Sequence, residues 1–116
     1  MDYDILVKFA KKNNLNFIAI YGSYYTNKNT ENSDLDLIVE SPNHLTIDKL
    51  IDLEDELNNI LNISIDMITP RLMISSLLCG YVWRLNLYKV VYGSPIIHNA
   101  DFFNKPNDAS SKIITS

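Results

Sequence analysis

Apolar residues along the chain fall into short blocks whose period switches repeatedly between about 3.6 and 2, and each switch predicts an element boundary. In residues 3–13, Ile5, Leu6, Phe9 and Ala10 recur at helical spacing while Lys8, Lys11 and Lys12 lie off that face. Asn13-Asn14 predicts the stop, because Asn tolerates the left-handed conformation at a helix end. Phe17 to Tyr21 (FIAIY) is a short β-rich apolar run ended by Gly22, which suits a buried strand. Residues 24–33 (YYTNKNTENS) carry no apolar period and are mostly turn formers, with a short helical turn expected at 24–28. Asp34 to Val39 (DLDLIV) alternates, so Leu35, Leu37 and Val39 point one way and Asp34, Asp36 and Ile38 the other.

Ser41-Pro42-Asn43 breaks that strand, and Thr46 then reads as an N-cap with Leu45 and Leu50 placed as a hydrophobic staple. Leu50, Leu53, Leu57, Ile60 and Leu61 form one stripe and predict a helix over 47–61. Ile63 to Ile68 (ISIDMI) alternates again, with Ser64, Asp66 and Ile68 opposite Ile63, Ile65 and Met67. Thr69-Pro70, an N-cap followed by Pro at the first helical position, opens a helix expected over about 70–85. Tyr88 to Tyr92 (YKVVY) is the last strand, closed by Gly93 and Pro95. The order is helix, strand, loop, strand, helix, strand, helix, strand. It predicts an α/β (α+β) domain over 1–98 with one mixed β-sheet of about four strands packed with helices, and a polar, poorly ordered tail over 99–116.

Composition narrows the class. The 116 residues hold 47% apolar and 21% charged residues, as in a soluble single domain. No apolar run approaches the ~20 residues of a membrane span, and Met1-Asp2-Tyr3-Asp4 does not read as a secretory signal, so a cytoplasmic location with no membrane association is expected. A lone Cys79 builds no disulfide framework, and no Cys/His zinc set is present. Residues 1–70 carry 12 acids and 5 bases (net −7), whereas residues 71–116 carry 2 acids and 5 bases (net +3). The acidic front half argues against direct nucleic-acid binding, which needs Lys and Arg on phosphates. Five of its acids, Asp48 to Glu56, are accounted for as the wet side of a helix.

Three other carboxylates stand where stability alone would not place them. Asp34 and Asp36 lie on one strand face with Cα atoms about 6.5 Å apart, and each raises the other's pKa unless a cation intervenes. A divalent ion resolves this, because carboxylate oxygens are ligands that hard Mg²⁺ prefers. Asp66 sits among apolar residues in ISIDMI, and if its strand neighbours the first, all three acids converge. Ahead of them, Gly22-Ser23 ends a strand, where a Gly admits backbone N–H groups close to an anion and a Ser adds a hydroxyl.

Gly22-Ser23, ten intervening residues, then Asp34-Leu35-Asp36 together resemble the signature of the polymerase-β-type nucleotidyltransferases. Residues 1–93 are similar in length and element order to the minimal nucleotidyltransferases (MNT), the small subunit of HEPN–MNT toxin–antitoxin pairs. The segment IDMITP resembles the part of that family that holds a third acid. The resemblance implies a nucleotidyltransferase-type sheet and a site in which Gly22 and Ser23 hold the nucleotide triphosphate. Asp34 and Asp36 would bind two Mg²⁺ ions, and Asp66 would hold the metal that activates the acceptor hydroxyl and could accept its proton. It further implies an enzyme, a protein adenylyltransferase that moves AMP from ATP to a Tyr hydroxyl of a HEPN-type ribonuclease toxin and so acts as its antitoxin in a hetero-oligomer. A non-catalytic antitoxin, or a transferase acting on tRNA or a small molecule, fits the same motif. Relatives commonly carry Arg shortly after the Gly-Ser pair and a Gly four residues after the Ser. Here Tyr24, Thr26 and Asn27 take those places and Lys28 is the nearby cation.

The remaining reactive residues have plainer readings. Cys79 falls in the apolar part of the last helix and is expected to be a core or interface thiol; His44 is a loop residue, and His98 has no evident partner. Leu77, Leu78, Tyr81 and Trp83 make the 70–85 helix apolar on more than one side, and a second apolar face on so small a domain predicts a subunit contact.

Overall fold

The computed structural model describes residues 2–96. The elements follow the predicted order: α1 (Tyr3–Lys12), β1 (Phe17–Tyr21), a 3-10 turn (Gly22–Tyr24), β2 (Leu35–Glu40), α2 (Ile47–Leu61), β3 (Ile65–Ile68), α3 (Pro70–Ile74), α4 (Leu77–Arg84) and β4 (Lys89–Gly93). The polar tail, with the expected 98/99 boundary and His98, lies outside the described residues.

Local chemistry sets most boundaries. The Asp2 carboxylate accepts from the Asp4 N–H to cap α1, and Asn14 beyond its end takes φ +58°. Thr46 caps α2 by accepting from the Lys49 N–H at 3.2 Å, with Leu50 buried and Leu45 packed nearby as the staple. Asn62 ends α2 in the left-handed conformation. Thr69 caps α3, with Pro70 at its first position.

The expected single helix over 70–85 is two helices. Ser75 turns its hydroxyl back onto the Leu72 carbonyl at 2.8 Å, and Ser76 adopts extended backbone as the N-cap of α4, accepting from the Cys79 N–H. Two adjacent hydroxyls that bond to backbone compete with continued helix and break it there. Likewise the turn expected over 24–28 starts earlier, at Gly22, whose φ of +73° lets the chain turn directly out of β1.

The sheet runs β3-β2-β1-β4, antiparallel except for the parallel β2–β3 pair. One face packs Ile18, Ile20, Leu35, Leu37, Val39 and Met67 against α1 and α2, as the alternation predicts. On the other face Phe17, Ala19 and Ile38 are covered by Met73 and Trp83 of the α3–α4 pair. That pair is short, so it covers only the half of the face toward the C-terminal end of β2.

Edge strand β3 is managed by α2. The Glu54 carboxylate accepts from the Met67 N–H at 2.7 Å, and the Asn58 amide donates to the Ile63 carbonyl. Glu54 is thus more than a wet-face acid; it satisfies a donor the sheet edge leaves open. Glu56 pairs with Lys12 at 2.9 Å and ties α2 to α1.

Candidate active site

The register brings the predicted acids together. Asp36 pairs with Tyr21 of β1 on one side and Asp66 of β3 on the other, giving a row Tyr21–Asp36–Asp66 across three strands. Neighbouring strands are about 4.8 Å apart and paired residues share a face, so Asp36 and Asp66 stand side by side. Asp34 lies two residues before Asp36, hence on the same face, just ahead of β2. The next row, Ala19–Ile38–Ile68, is already beneath the α3–α4 layer. The acids therefore occupy the uncovered half of that face, with Asp34 and Asp66 exposed and Asp36 half-buried.

The electrostatics follow from this crowding. Burial, then the charges of Asp66 and Asp34, push the Asp36 carboxyl from its ordinary 3.8 up to about 6. Tyr21 is buried below it, and burial together with the Asp36 charge holds its phenol well above its ordinary range. No ion pair among the described residues involves Asp34, Asp36 or Asp66. Nor do three His, Cys, Asp or Glu side chains among the described residues close on one point as a finished metal cage. The donor set is nevertheless that of a hard cation: oxygen only, like-charged, on one open face, with one carboxyl held up in pKa by burial and then by its neighbours.

Gly22 is locked to this row. A Cβ on Gly22 would displace the Asp36 carboxylate, and the φ of +73° favours glycine there, so the turn after β1 lies directly against that acid. The Gly22 carbonyl accepts from the Tyr25 and Thr26 N–H groups, and the Ser23 carbonyl from the Lys28 N–H. Thr26 returns its hydroxyl to the same two carbonyls. Asn27 adopts φ +61°, a left-handed angle that Asn tolerates better than most residues.

The other candidates resolve as follows. Cys79 is half-buried in the α3–α4 layer and packs toward Tyr21. His44 lines a cavity of about 200 Å³ with Glu40, Arg71 and Ile96. That cavity sits at the C-terminal end of β2, four residues and about 13 Å of strand beyond Asp36, and takes no part in the acidic row. Trp83 is core: it stacks on Tyr88 and meets Phe17 edge-on. Sequence reasoning missed Tyr21, whose place beside Asp36 needs the β1–β2 register, and Glu54, whose role needs the packing of α2 on β3.

Comparison with known proteins agrees with this geometry. The family described as Polymerase beta, Nucleotidyltransferase matches residues 4–86, which include the turn, the acidic row and both flanking helices. This chain belongs to that family and is by family a nucleotidyltransferase. It is similar to proteins of Methanocaldococcus jannaschii named as protein adenylyltransferases. One is 41% identical over 62 residues, 53% of this chain and 63% of that protein; a second is 44% identical over 73 residues, 57% of this chain and 81% of that protein. The matched stretch thus spans a little under two thirds of the first relative's length.

Among solved structures, a toxin–antitoxin with AMP-PNP superposes with a TM-score of 0.67 at 23% identity, covering 81% of this chain and 75% of that one. A tri-AMPylated Shewanella oneidensis HEPN toxin in complex with MNT antitoxin matches with a TM-score of 0.59 at 20% identity, covering 79% and 70%. These two likenesses establish the fold.

Proposed function

We propose that this chain transfers AMP from ATP to a tyrosine hydroxyl of a HEPN-type toxin and thereby acts as its antitoxin. The observation that carries the reading is the register row: Asp36 beside Asp66, Asp34 next on the same face, and the Gly22 turn closed against Asp36. The M. jannaschii relatives named as protein adenylyltransferases and the toxin–antitoxin neighbours support the choice of reaction and partner.

In this reading Gly22 and Ser23 hold the triphosphate, with Lys28 as the nearby cation. Asp34, Asp36 and Asp66 are the residues that would hold two Mg²⁺ ions. Bound there, the metal supplies charge neutralisation for the triphosphate and its departing pyrophosphate. The tyrosine oxygen attacks the α-phosphorus, an O–P bond forms, and the bond to the bridging oxygen of pyrophosphate breaks. The tyrosine proton passes to Asp66, the exposed carboxylate on the side of the row away from Tyr21. Such transfer rests mainly on positioning and charge stabilisation, which a fixed strand register provides.

The open face also suits a protein acceptor. The acidic half of the sheet face is uncovered, so a partner can present its hydroxyl there directly. Incubation with a HEPN-type partner and ATP labelled at the α-phosphate is expected to leave label on the partner. Label at the γ-phosphate is expected to leave none. Retention of γ-label, or no label from either position, would overturn the proposal.

A second reading, a non-catalytic antitoxin that works by binding, is favoured by one feature: residues 24–27 after Gly22-Ser23 are Tyr, Tyr, Thr and Asn, with no arginine to neutralise a triphosphate. Calorimetry with ATP and Mg²⁺ separates the two. A transferase binds the nucleotide, and a pure binder need not.

A further inference from the structure

Tyr21 is the member of the register row that the proposed chemistry leaves without a task. It pairs with Asp36 across β1 and β2, so its side chain shares the face of the acids. It is only 9% exposed, and its ring belongs to the cluster of Phe17, Ala19, Ile38 and Met73 under the α3–α4 layer. A phenylalanine would bury the same ring without a polar atom. The hydroxyl is what packing does not explain.

Buried tyrosine hydroxyls usually find a hydrogen-bond partner, because leaving one unpaired costs free energy. Tyr21 Oη makes no hydrogen bond among the described residues, although Asp36 stands beside it on the next strand. Nor is it one of the sealed polar atoms that lack a partner, so it keeps some contact with solvent. The following row, Ala19–Ile38–Ile68, is covered by the α3–α4 layer, and the open side is that of Asp36. The hydroxyl therefore ends at the boundary between the packed and open halves of the face, in the field of Asp36 and Asp66.

Two observations say what it meets there. First, Tyr21 immediately precedes Gly22, and the Gly22–Tyr24 turn leaves directly from it. A phosphate chain held by Gly22-Ser23 and by ions on the acids is bordered by Tyr21 on the β1 side. Second, donors are scarce in that turn: residues 24–27 bring no arginine, and Lys28 is the nearby cation. A neutral phenol donates one hydrogen bond, and a bond to an anionic phosphate oxygen is charge-assisted and stronger than a neutral one. Because the ring is already fixed by burial, making that bond costs little side-chain entropy.

We infer that Tyr21 is a nucleotide-binding residue whose hydroxyl donates to a phosphate oxygen of ATP bound beside Asp36, a donor that the arginine-free turn does not supply. The inference rests on the proposed transferase reading and adds a phosphate contact from the buried side of the site.

The test uses the full chain and Tyr21→Phe, which keeps the ring and removes only the oxygen. Its urea midpoint is expected to stay close to the parent's. Calorimetry with ATP and Mg²⁺ is expected to show a rise of about tenfold or more in Kd. In the parent, tyrosine labelled with carbon-13 at Cζ gives a readout that needs no variant. With Mg²⁺ present throughout, ATP should move the Tyr21 signal and adenosine, which lacks phosphates, should not. An ATP Kd unchanged in Tyr21→Phe would overturn the inference, as would a Tyr21 signal that ATP leaves still or that adenosine moves as far. A large fall in the urea midpoint of Tyr21→Phe would show a structural hydroxyl and overturn it too. So would a gain of AMP by the chain itself that Tyr21→Phe abolishes, since Tyr21 would then be an acceptor. ATP binding that depends on the hydroxyl, in a parent that leaves a HEPN-type partner unmodified, would support the contact and overturn the transferase reading alone. AMP transfer by the parent, with an ATP Kd that Tyr21→Phe leaves unchanged, would do the reverse.

Discussion

Burial and the adjacent Asp66 and Asp34 raise the Asp36 carboxyl from 3.8 to about 6, so the folded chain holds a proton there more firmly than the unfolded chain does. The sign follows: between about pH 4 and 6 the native state binds more protons, and stability falls as pH rises through that window. Fully expressed, the shift corresponds to ~3 kcal/mol, and solvent screening at a half-exposed site leaves about 1 kcal/mol. In metal-free buffer at neutral pH, Asp36→Asn should therefore raise the unfolding free energy by about 1 kcal/mol in urea titrations. The gain should fade below about pH 4, and the same variant should lose AMP transfer. Gly22→Ala works in the opposite direction. Its φ of +73° costs a non-Gly residue ~1–2 kcal/mol, and its Cβ displaces the Asp36 carboxylate. A destabilisation of that size with roughly 100-fold slower transfer is expected, read by urea melts and initial rates. At this scale Asp36 and Asp66 were legible, because each interrupts an apolar strand segment. Tyr21 was not, since a buried aromatic at the end of an apolar run looks like any core residue.

The elements show where periodicity carries information and where it fails. Alternation correctly assigned both faces of β2 and β3, because a strand's side-chain period is fixed. It could not show that β3 lies parallel beside β2, the pairing that sets Asp66 against Asp36, since register is a tertiary fact. The 70–85 helix was legible as apolar and buried on one side, but Ser75-Ser76 splits it through hydrogen bonds that apolar spacing does not report. Glu54 gives an element-level prediction. Glu54→Ala leaves the Met67 N–H on the sheet edge without its acceptor. It should cost about 1–3 kcal/mol and speed amide exchange at Met67, and it should slow transfer through looser placement of Asp66. Unchanged exchange at Met67 would show that the bond does not hold β3. Trp83→Ala, which empties the contact with Phe17 and Tyr88, should cost about 3–5 kcal/mol in a denaturant titration.

The described residues form a four-stranded sheet with one face packed against α1 and α2 and the other half covered by α3 and α4. That asymmetry sets up the candidate site: the same face that buries Ile38 and partly covers Ile68 with the α3–α4 layer leaves Asp36 half-buried and Asp66 exposed two residues away. Charge divides along the chain, with net −7 over residues 1–70 and net +3 over residues 71–116. Composition alone suggested only an acidic single domain; the sheet order sets Asp36 and Asp66 side by side in one row, with Asp34 two residues before Asp36. The most direct measurement of the central claim is the intact mass of a HEPN-type partner after incubation with this chain, ATP and Mg²⁺. A gain of one or more AMP units with the parent chain, absent with Asp36→Ala and with Asp66→Ala, is the predicted result. An unmodified partner at saturating ATP, or modification that survives both substitutions, would contradict it.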